Sequence, residues 1–175
     1  MTTTRDTDGM SWDRFRQAEP DFAKAVEDRF GRYEHHVLAT LRKDGSPRLT
    51  GLEVDFRNGQ MWLGMMPGSR KALDLRRDPR FALHANPGAG AGMDEGDARI
   101  SGRAVEVTDP AEIAAWAAGV PGGEAPEVFH LFRAEVTEVV RVSIELPDIV
   151  FRTWRPGRAP RTIRRGNDDA PPRED

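Results

Sequence analysis

Ser69-Arg70-Lys71 is the segment of this chain best equipped for chemistry. It follows Pro67-Gly68 and opens the run Ala72-Leu73-Asp74-Leu75-Arg76-Arg77-Asp78, which Pro79 closes. The spacing predicts a short helix with Ser69 at its N-cap, Ala72 and Leu75 on its buried side and both cations in its first turn. A helix N-terminus carries unpaired N–H groups and about half a positive charge, so it favours anions. Arg70 and Lys71 therefore oppose the dipole unless something negative lies among them. Two cations, a hydroxyl and free backbone N–H groups at one point describe a phosphate pocket. The pattern leaves one alternative open, a solvated helix whose basic residues merely face water.

Other segments offer less. Arg152, Arg155, Arg158, Arg161, Arg164 and Arg165 surround Trp154 with no acid among them. This run reads as a solvated edge hairpin, since charge protects edge strands, as a site for an anionic cofactor tail or substrate, or as a groove for single-stranded nucleic acid. Only Trp154 and Phe151 could stack on bases there and the chain carries a net charge of −3, both of which argue against nucleic acid. Gly88-Ala89-Gly90-Ala91-Gly92 has no Gly-Lys-Ser/Thr after it and opens no helix in a βαβ unit, so it reads as a lid or dimer-contact loop rather than a nucleotide loop. His35, His36, His84 and His130 have no metal-ligand spacing, and His84 reads as a packed or interface histidine. The chain has no cysteine, which excludes disulfides, thiolate metal sites and cysteine nucleophiles. No side chain is assigned as a catalytic acid or base, and no metal site is expected.

The elements that must position Ser69–Lys71 are mostly strands. Pro20 and Gly31 bracket a helix with Phe22, Val26 and Phe30 on one stripe. Strands are expected at 36–41, at 52–57 after the Lys43–Pro47 turn, and at 60–66 after the Asn58-Gly59 hairpin. Further strands are expected at 80–85, 98–107, 134–145 and 149–155, where Pro156-Gly157 can turn the last toward Arg161–Arg165. Asp109-Pro110-Ala111-Glu112 starts a helix that ends near Gly119, residues 120–125 are a linker, and 126–133 is a short helix. Six or seven short antiparallel strands and a few helices, without a repeated βαβ unit, predict a mainly β (α+β) small barrel. The chain's 175 residues suit one domain, here 11–165, between loose polar tails at 1–10 and 166–175. No apolar run approaches the roughly 20 residues of a membrane span, and the first ten residues lack signal-peptide character, so a cytoplasmic location is expected.

The run Ala39–Pro47, then Asn58-Gly59, then Ser69-Arg70-Lys71-Ala72 and Asp78-Pro79-Arg80 resembles the FMN-binding split-barrel family of pyridoxamine 5'-phosphate oxidase-like proteins. It is also similar to that family's deazaflavin-dependent branch in actinobacteria. The resemblance implies a six- to seven-stranded antiparallel split β-barrel, a homodimer, and FMN or deazaflavin F-420 at the subunit interface. It implies that Arg70 and Lys71, with Ser69, hold the cofactor phosphate. Leu49, Thr50, Gly51 and Leu52, with Gly64 and Met65, would line the ring and ribityl chain, and Trp154 resembles an aromatic that reaches the cofactor. The implied activity is hydride transfer between the cofactor and a small organic substrate, at flavin N5 or deazaflavin C5. A flavin- or haem-binding protein without catalysis is the alternative class. Two departures stand out: Gly64-Met65 replaces a polar aromatic–threonine pair, and the oxidase's C-terminal arginine–histidine signature is missing, which counts against formation of pyridoxal phosphate.

Overall fold

A computed structural model describes residues 9–88, 96–120 and 127–175. The expected glycine-rich loop and linker lie largely outside those residues, as does most of the expected N-terminal tail. Within them, helix α1 (Trp12–Ala18) puts Trp12 and Phe15 on its buried side and is capped by Ser11, whose Oγ accepts the Arg14 N–H. Helix α2 (Pro20–Phe30) buries Phe22, Val26 and Phe30, as their spacing predicts. The two helices meet through Phe15 and Phe22, whose rings lie edge to face at 5.6 Å.

The chain then forms β1 (His36–Leu41), β2 (Pro47–Leu52), β3 (Val54–Arg57), β4 (Gln60–Met65), α3 (Arg70–Arg77), β5 (Arg80–His84) and β6 (Asp97–Glu106). It continues through α4 (Pro110–Ala118), β7 (His130–Glu145), β8 (Asp148–Trp154), β9 (Arg161–Arg165) and β10 (Arg173–Glu174). All pairings are antiparallel, and one path runs β10-β9-β8-β7-β6-β5-β1-β2. The long β7 makes the split. One edge pairs with β6, while the other is shared between β4, at residues 130–133, and β8, at residues 139–145. Among the described residues, strand β2 pairs only with β1 and β3 only with β4, so the barrel does not close.

Three expectations change here. The alternation expected as one strand through 52–57 breaks at Glu53, because Leu52 pairs back to His36 on β1 while Val54 pairs forward to Leu63 on β4. The described part of the expected 126–133 helix, residues 127–133, is not helical. His130–Arg133 instead pairs with Met65–Trp62, and a partner strand overrides local helical pattern. Among the described residues there are ten strands rather than six or seven, the last being Arg173–Glu174, which pairs with β9 inside the stretch expected to be a loose tail.

The barrel interior, covered by α1 and α2, holds Trp12, Phe15, Phe22, Leu38, Met61, Leu63, Phe132 and Val136, all buried. A second, smaller cluster of Trp62, Val107 and Leu131 lies beneath α4, whose Trp116 and Ile113 pack against it. Asp109 caps α4 through its carboxylate, which accepts the Ala111 N–H at 2.9 Å.

Candidate functional site

Helix α3 sits against β1 and β2, and a buried carboxylate fixes it there. Asp74 faces inward among Ala72 and Leu75 and accepts the Thr40 hydroxyl at 2.9 Å, Arg48 Nε at 2.6 Å and Arg77 Nη2 at 3.0 Å. Burial raises the Asp74 carboxyl, but the hydrogen bonds from Arg48, Arg77 and Thr40 outweigh it and hold the group below the ordinary aspartate value. At the far end Arg76 makes a two-pronged bond to Glu106 on β6, at 2.6 and 2.7 Å. The turn before the helix is also held: Gly68, with φ +66°, donates its N–H to His130 Nε2 at 3.0 Å.

The first turn of α3 contains no acid, as its sequence indicates, and Ser69 occupies the N-cap with extended backbone. Its hydroxyl does not cap the helix; Ser69 Oγ is buried without a hydrogen-bond partner, and so is Thr50 Oγ1 on β2. The N–H groups of Arg70, Lys71 and Ala72 have no acceptor within the helix. Lys71 is already engaged: its Nζ donates to Gly51 O at 2.5 Å on β2. One bond of three leaves the ammonium two donors. Burial lowers Lys71 from the ordinary lysine value, and nearby Glu53 works against that shift. Arg70 is exposed. The start of α3 thus carries two cations and the unsatisfied Ser69 hydroxyl, with Thr50 one residue from the Gly51 carbonyl that Lys71 meets, and a phosphate group fits the donors present.

The remaining expected residues divide. Gly51 joins the site directly, and Thr50 presents its orphan hydroxyl from the same strand. Leu49 is 69% exposed on the outer face, while Leu52 is buried in the core. Met65 turns into the interior and pairs with His130, and Gly64 faces α4, where a Cβ would lie 3.6 Å from the Trp116 ring. Trp154 is not brought to the site. It is buried against Phe15 at 4.5 Å between ring centres and pairs with Val139, which lies along β7 from His130. Nine residues of strand separate the two positions by about 30 Å.

The arginine run is tied up in ion pairs. Arg152 meets Glu19, Arg155 meets Glu138, Arg161 meets Glu174, and Arg164 meets both Glu145 and Asp175. The acids missing from the run itself come from other elements, which favours the solvated-edge reading. A cleft of about 500 Å³ lies beside this region, lined by Phe22, Arg141, Arg152 and Arg164 among others, but no residue of α3 or β2 lines it. Sequence reasoning passed over Arg48, Asp74, Glu106 and His130, all of which position α3. Only Asp74 carried a local signal, an acid three residues before Arg77. Among the described residues no helix is long and apolar enough to cross a membrane.

An open antiparallel barrel split along one long strand, with a basic helix start beside its free edge, defines a split-barrel protein. Residues 22–143 match the family model described as pyridoxamine 5'-phosphate oxidase, and the chain belongs to this family of FMN-binding split-barrel proteins. Among solved structures, it is similar to the conserved hypothetical protein Rv2991 of Mycobacterium tuberculosis, at 24% identity over 79% of this chain and 88% of that one, with a TM-score of 0.55. It is also similar to a pyridoxamine 5'-phosphate oxidase-related, FMN-binding protein of Nostoc punctiforme PCC 73102, at 16% identity over 85% and 96% of the chains, with a TM-score of 0.58. A third similar structure is HutZ, the heme storage protein of Vibrio cholerae, at 15% identity over 67% and 89%, with a TM-score of 0.51. At these identities the likeness concerns the fold. No curated protein matches the chain.

Proposed function

We propose that this chain binds FMN and acts as an oxidoreductase on a small organic substrate. The observation that carries the reading is the pair of buried, unpartnered hydroxyls, Ser69 Oγ and Thr50 Oγ1, beside Lys71 and the open start of α3. Buried polar atoms are almost always satisfied, and a phosphate would supply acceptors for both. When bound, a flavin supplies reversible two-electron, hydride-transferring chemistry. The chain's own residues bind and orient. Ser69, Arg70 and Lys71 hold the phosphate, Thr50 and Gly51 fix the adjoining chain along β2, and the covered interior keeps water from the barrel side. We assign no side chain as acid or base. The resemblance to FMN-binding relatives supports FMN over deazaflavin F-420.

The site is proposed to be completed by a second copy of the chain. Val37 and Leu49 are 39% and 69% exposed, and their register with Gly51 and Ala39 puts all four residues on one outer face of β1–β2.

The test is direct binding. Purified protein is titrated with FMN, with F-420 and with heme, followed by flavin fluorescence, deazaflavin fluorescence and the Soret band. FMN is expected to bind, and the Arg70→Ala/Lys71→Ala double variant is expected to bind at least about tenfold more weakly while remaining folded, from loss of two charge-assisted contacts. Unchanged affinity in that variant refutes the phosphate assignment. A Soret band without flavin binding makes the chain a heme-binding protein instead.

A further inference from the structure

His130 stands at a junction that the binding reading does not use. Its Nε2 lies 3.0 Å from the Gly68 N–H, and its Nδ1 lies 3.2 Å from Glu106 Oε1. The side chain is 14% exposed. The Arg76 guanidinium holds Glu106 below the ordinary glutamate value, with burial opposing and His130 adding to the lowering. Glu106 is therefore a carboxylate and can only accept. The proton of the neutral ring must then sit on Nδ1, which leaves Nε2 with the lone pair that receives Gly68. Glu106 thus fixes the tautomer, and the tautomer fixes the turn.

That turn is the entrance to the phosphate site. Gly68 has a left-handed backbone at φ +66°, and Ser69 follows as N-cap of α3. Whatever orients the Gly68 peptide orients the first free N–H groups of the helix and the Ser69 hydroxyl. His130 is anchored from below, since it pairs with Met65 at the end of β4, one residue before the loop begins.

We propose that His130 is the positioning residue of the anion site and makes it sensitive to pH: its neutral ring holds the Pro67–Ser69 turn in binding geometry, and its protonation releases that turn and weakens anion binding. This rests on the phosphate reading given above. A proton added at Nε2 sets a donor against the Gly68 donor, so the bond is lost. The new charge is met by Glu106 at Nδ1, which limits its attraction for a phosphate at the start of α3. The charged groups linked to the ring are Glu106 from β6 and, through it, Arg76 from α3. Strand β4 places Met65 opposite His130, and Arg133, farther along β7, is engaged with Glu112.

The experiment measures the FMN dissociation constant of the dimeric or monomeric protein, as purified, from about pH 8 to about pH 5.5, the range in which histidine ordinarily titrates. His130→Gln is the control, because a glutamine amide can accept from Gly68 and donate to Glu106 but does not titrate. The phosphate of FMN gains a proton in the same range and weakens binding to both proteins equally. The wild type is expected to lose about tenfold more affinity than the variant on acidification. Equal pH profiles, or a wild type that gains affinity relative to the variant in acid, overturn the proposal.

A second readout needs no cofactor. In the ligand-free wild type, the Gly68 amide resonance should shift along the His130 titration, and in His130→Gln it should stay constant. A Gly68 amide indifferent to His130 refutes the positioning role. A responsive amide in a protein that fails to bind FMN refutes the cofactor reading and leaves the switch in place.

Discussion

Replacing Asp74 with asparagine should destabilise the fold more than any other single change near the site. Asp74 is 3% exposed and accepts three hydrogen bonds, two of them on Oδ2 from Thr40 and Arg48 and one on Oδ1 from Arg77. An asparagine keeps one oxygen for Thr40 and Arg48 but turns an NH2 donor toward the Arg77 donor. It also leaves the Arg48 guanidinium, at 24% side-chain exposure, without its counter-charge. Removing one partner of a buried pair costs about 3–5 kcal/mol, and the partial exposure of both arginines reduces that to about 2–3 kcal/mol. For a chain of this size the melting temperature should fall by roughly 4–12 °C. The pH dependence follows from the direction of the shift. The folded carboxyl lies below the ordinary value, so the unfolded chain takes up the proton first and the contribution is lost as pH falls below about 4. Urea melts of wild type and Asp74→Asn, compared at about pH 7 and about pH 3, should show a wide gap that narrows in acid. A loss under about 1 kcal/mol at neutral pH, or a gap that widens in acid, would refute the view that Asp74 anchors α3.

Three further outcomes are expected. Gly102→Ala should cost about 1–3 kcal/mol, because the new Cβ would stand 2.2 Å from Glu135 O at the β6–β7 register shift, whereas Gly64→Ala, with 3.6 Å to Trp116, should leave the melting temperature nearly unchanged. Ser69→Ala and Thr50→Val remove buried hydroxyls that have no partner, so each should stabilise the ligand-free protein by about 1 kcal/mol in thermal melts while weakening FMN binding in titrations. Leu49→Glu, at a position 69% exposed, should leave the fold intact but shift a dimer to monomer in light scattering and lower FMN affinity; an unchanged mass would refute β1–β2 as the contact face.

Much of the fold is legible wherever one residue's neighbours are local. The Phe22, Val26, Phe30 stripe, the Asn58-Gly59 turn and the Asp109-Pro110 helix start all hold, because spacing and backbone preference decide them. What was misjudged depends on distant partners. His130–Arg133 reads as helical until β4 is present to pair with it, and the alternation around Leu52–Arg57 is continuous although its pairing partner changes at Glu53. Helix α1 is only seven residues long, too short for a stripe to declare itself. At the site, the charge opposed to the helix dipole pointed to Arg70 and Lys71. Nothing local could reveal that Asp74 meets Thr40 and Arg48, or that Glu106 and His130 hold the two ends of α3, since each contact spans more than twenty residues of chain. The packing of Trp154 on Phe15 is hidden for the same reason, since an aromatic residue carries no record of which neighbour it will pack against.

The energetics of α3 tie these contacts to function. Left to itself its first turn is unfavourable. Each cation near a helix N-terminus opposes the dipole by about 0.3–1 kcal/mol, and each buried unpaired hydroxyl adds about 1–3 kcal/mol. Helix eight residues long cannot absorb that by propensity, because isolated helices of this length are unstable. The anchors leave the open N–H groups themselves untouched: Asp74 lies beneath the helix, Arg76–Glu106 behind it, and His130 holds the turn that enters it. They hold the helix in place without satisfying the groups that face the opening. An anion entering there would relieve the dipole conflict and both hydroxyls at once, so the same residues that weaken the ligand-free protein should make binding favourable.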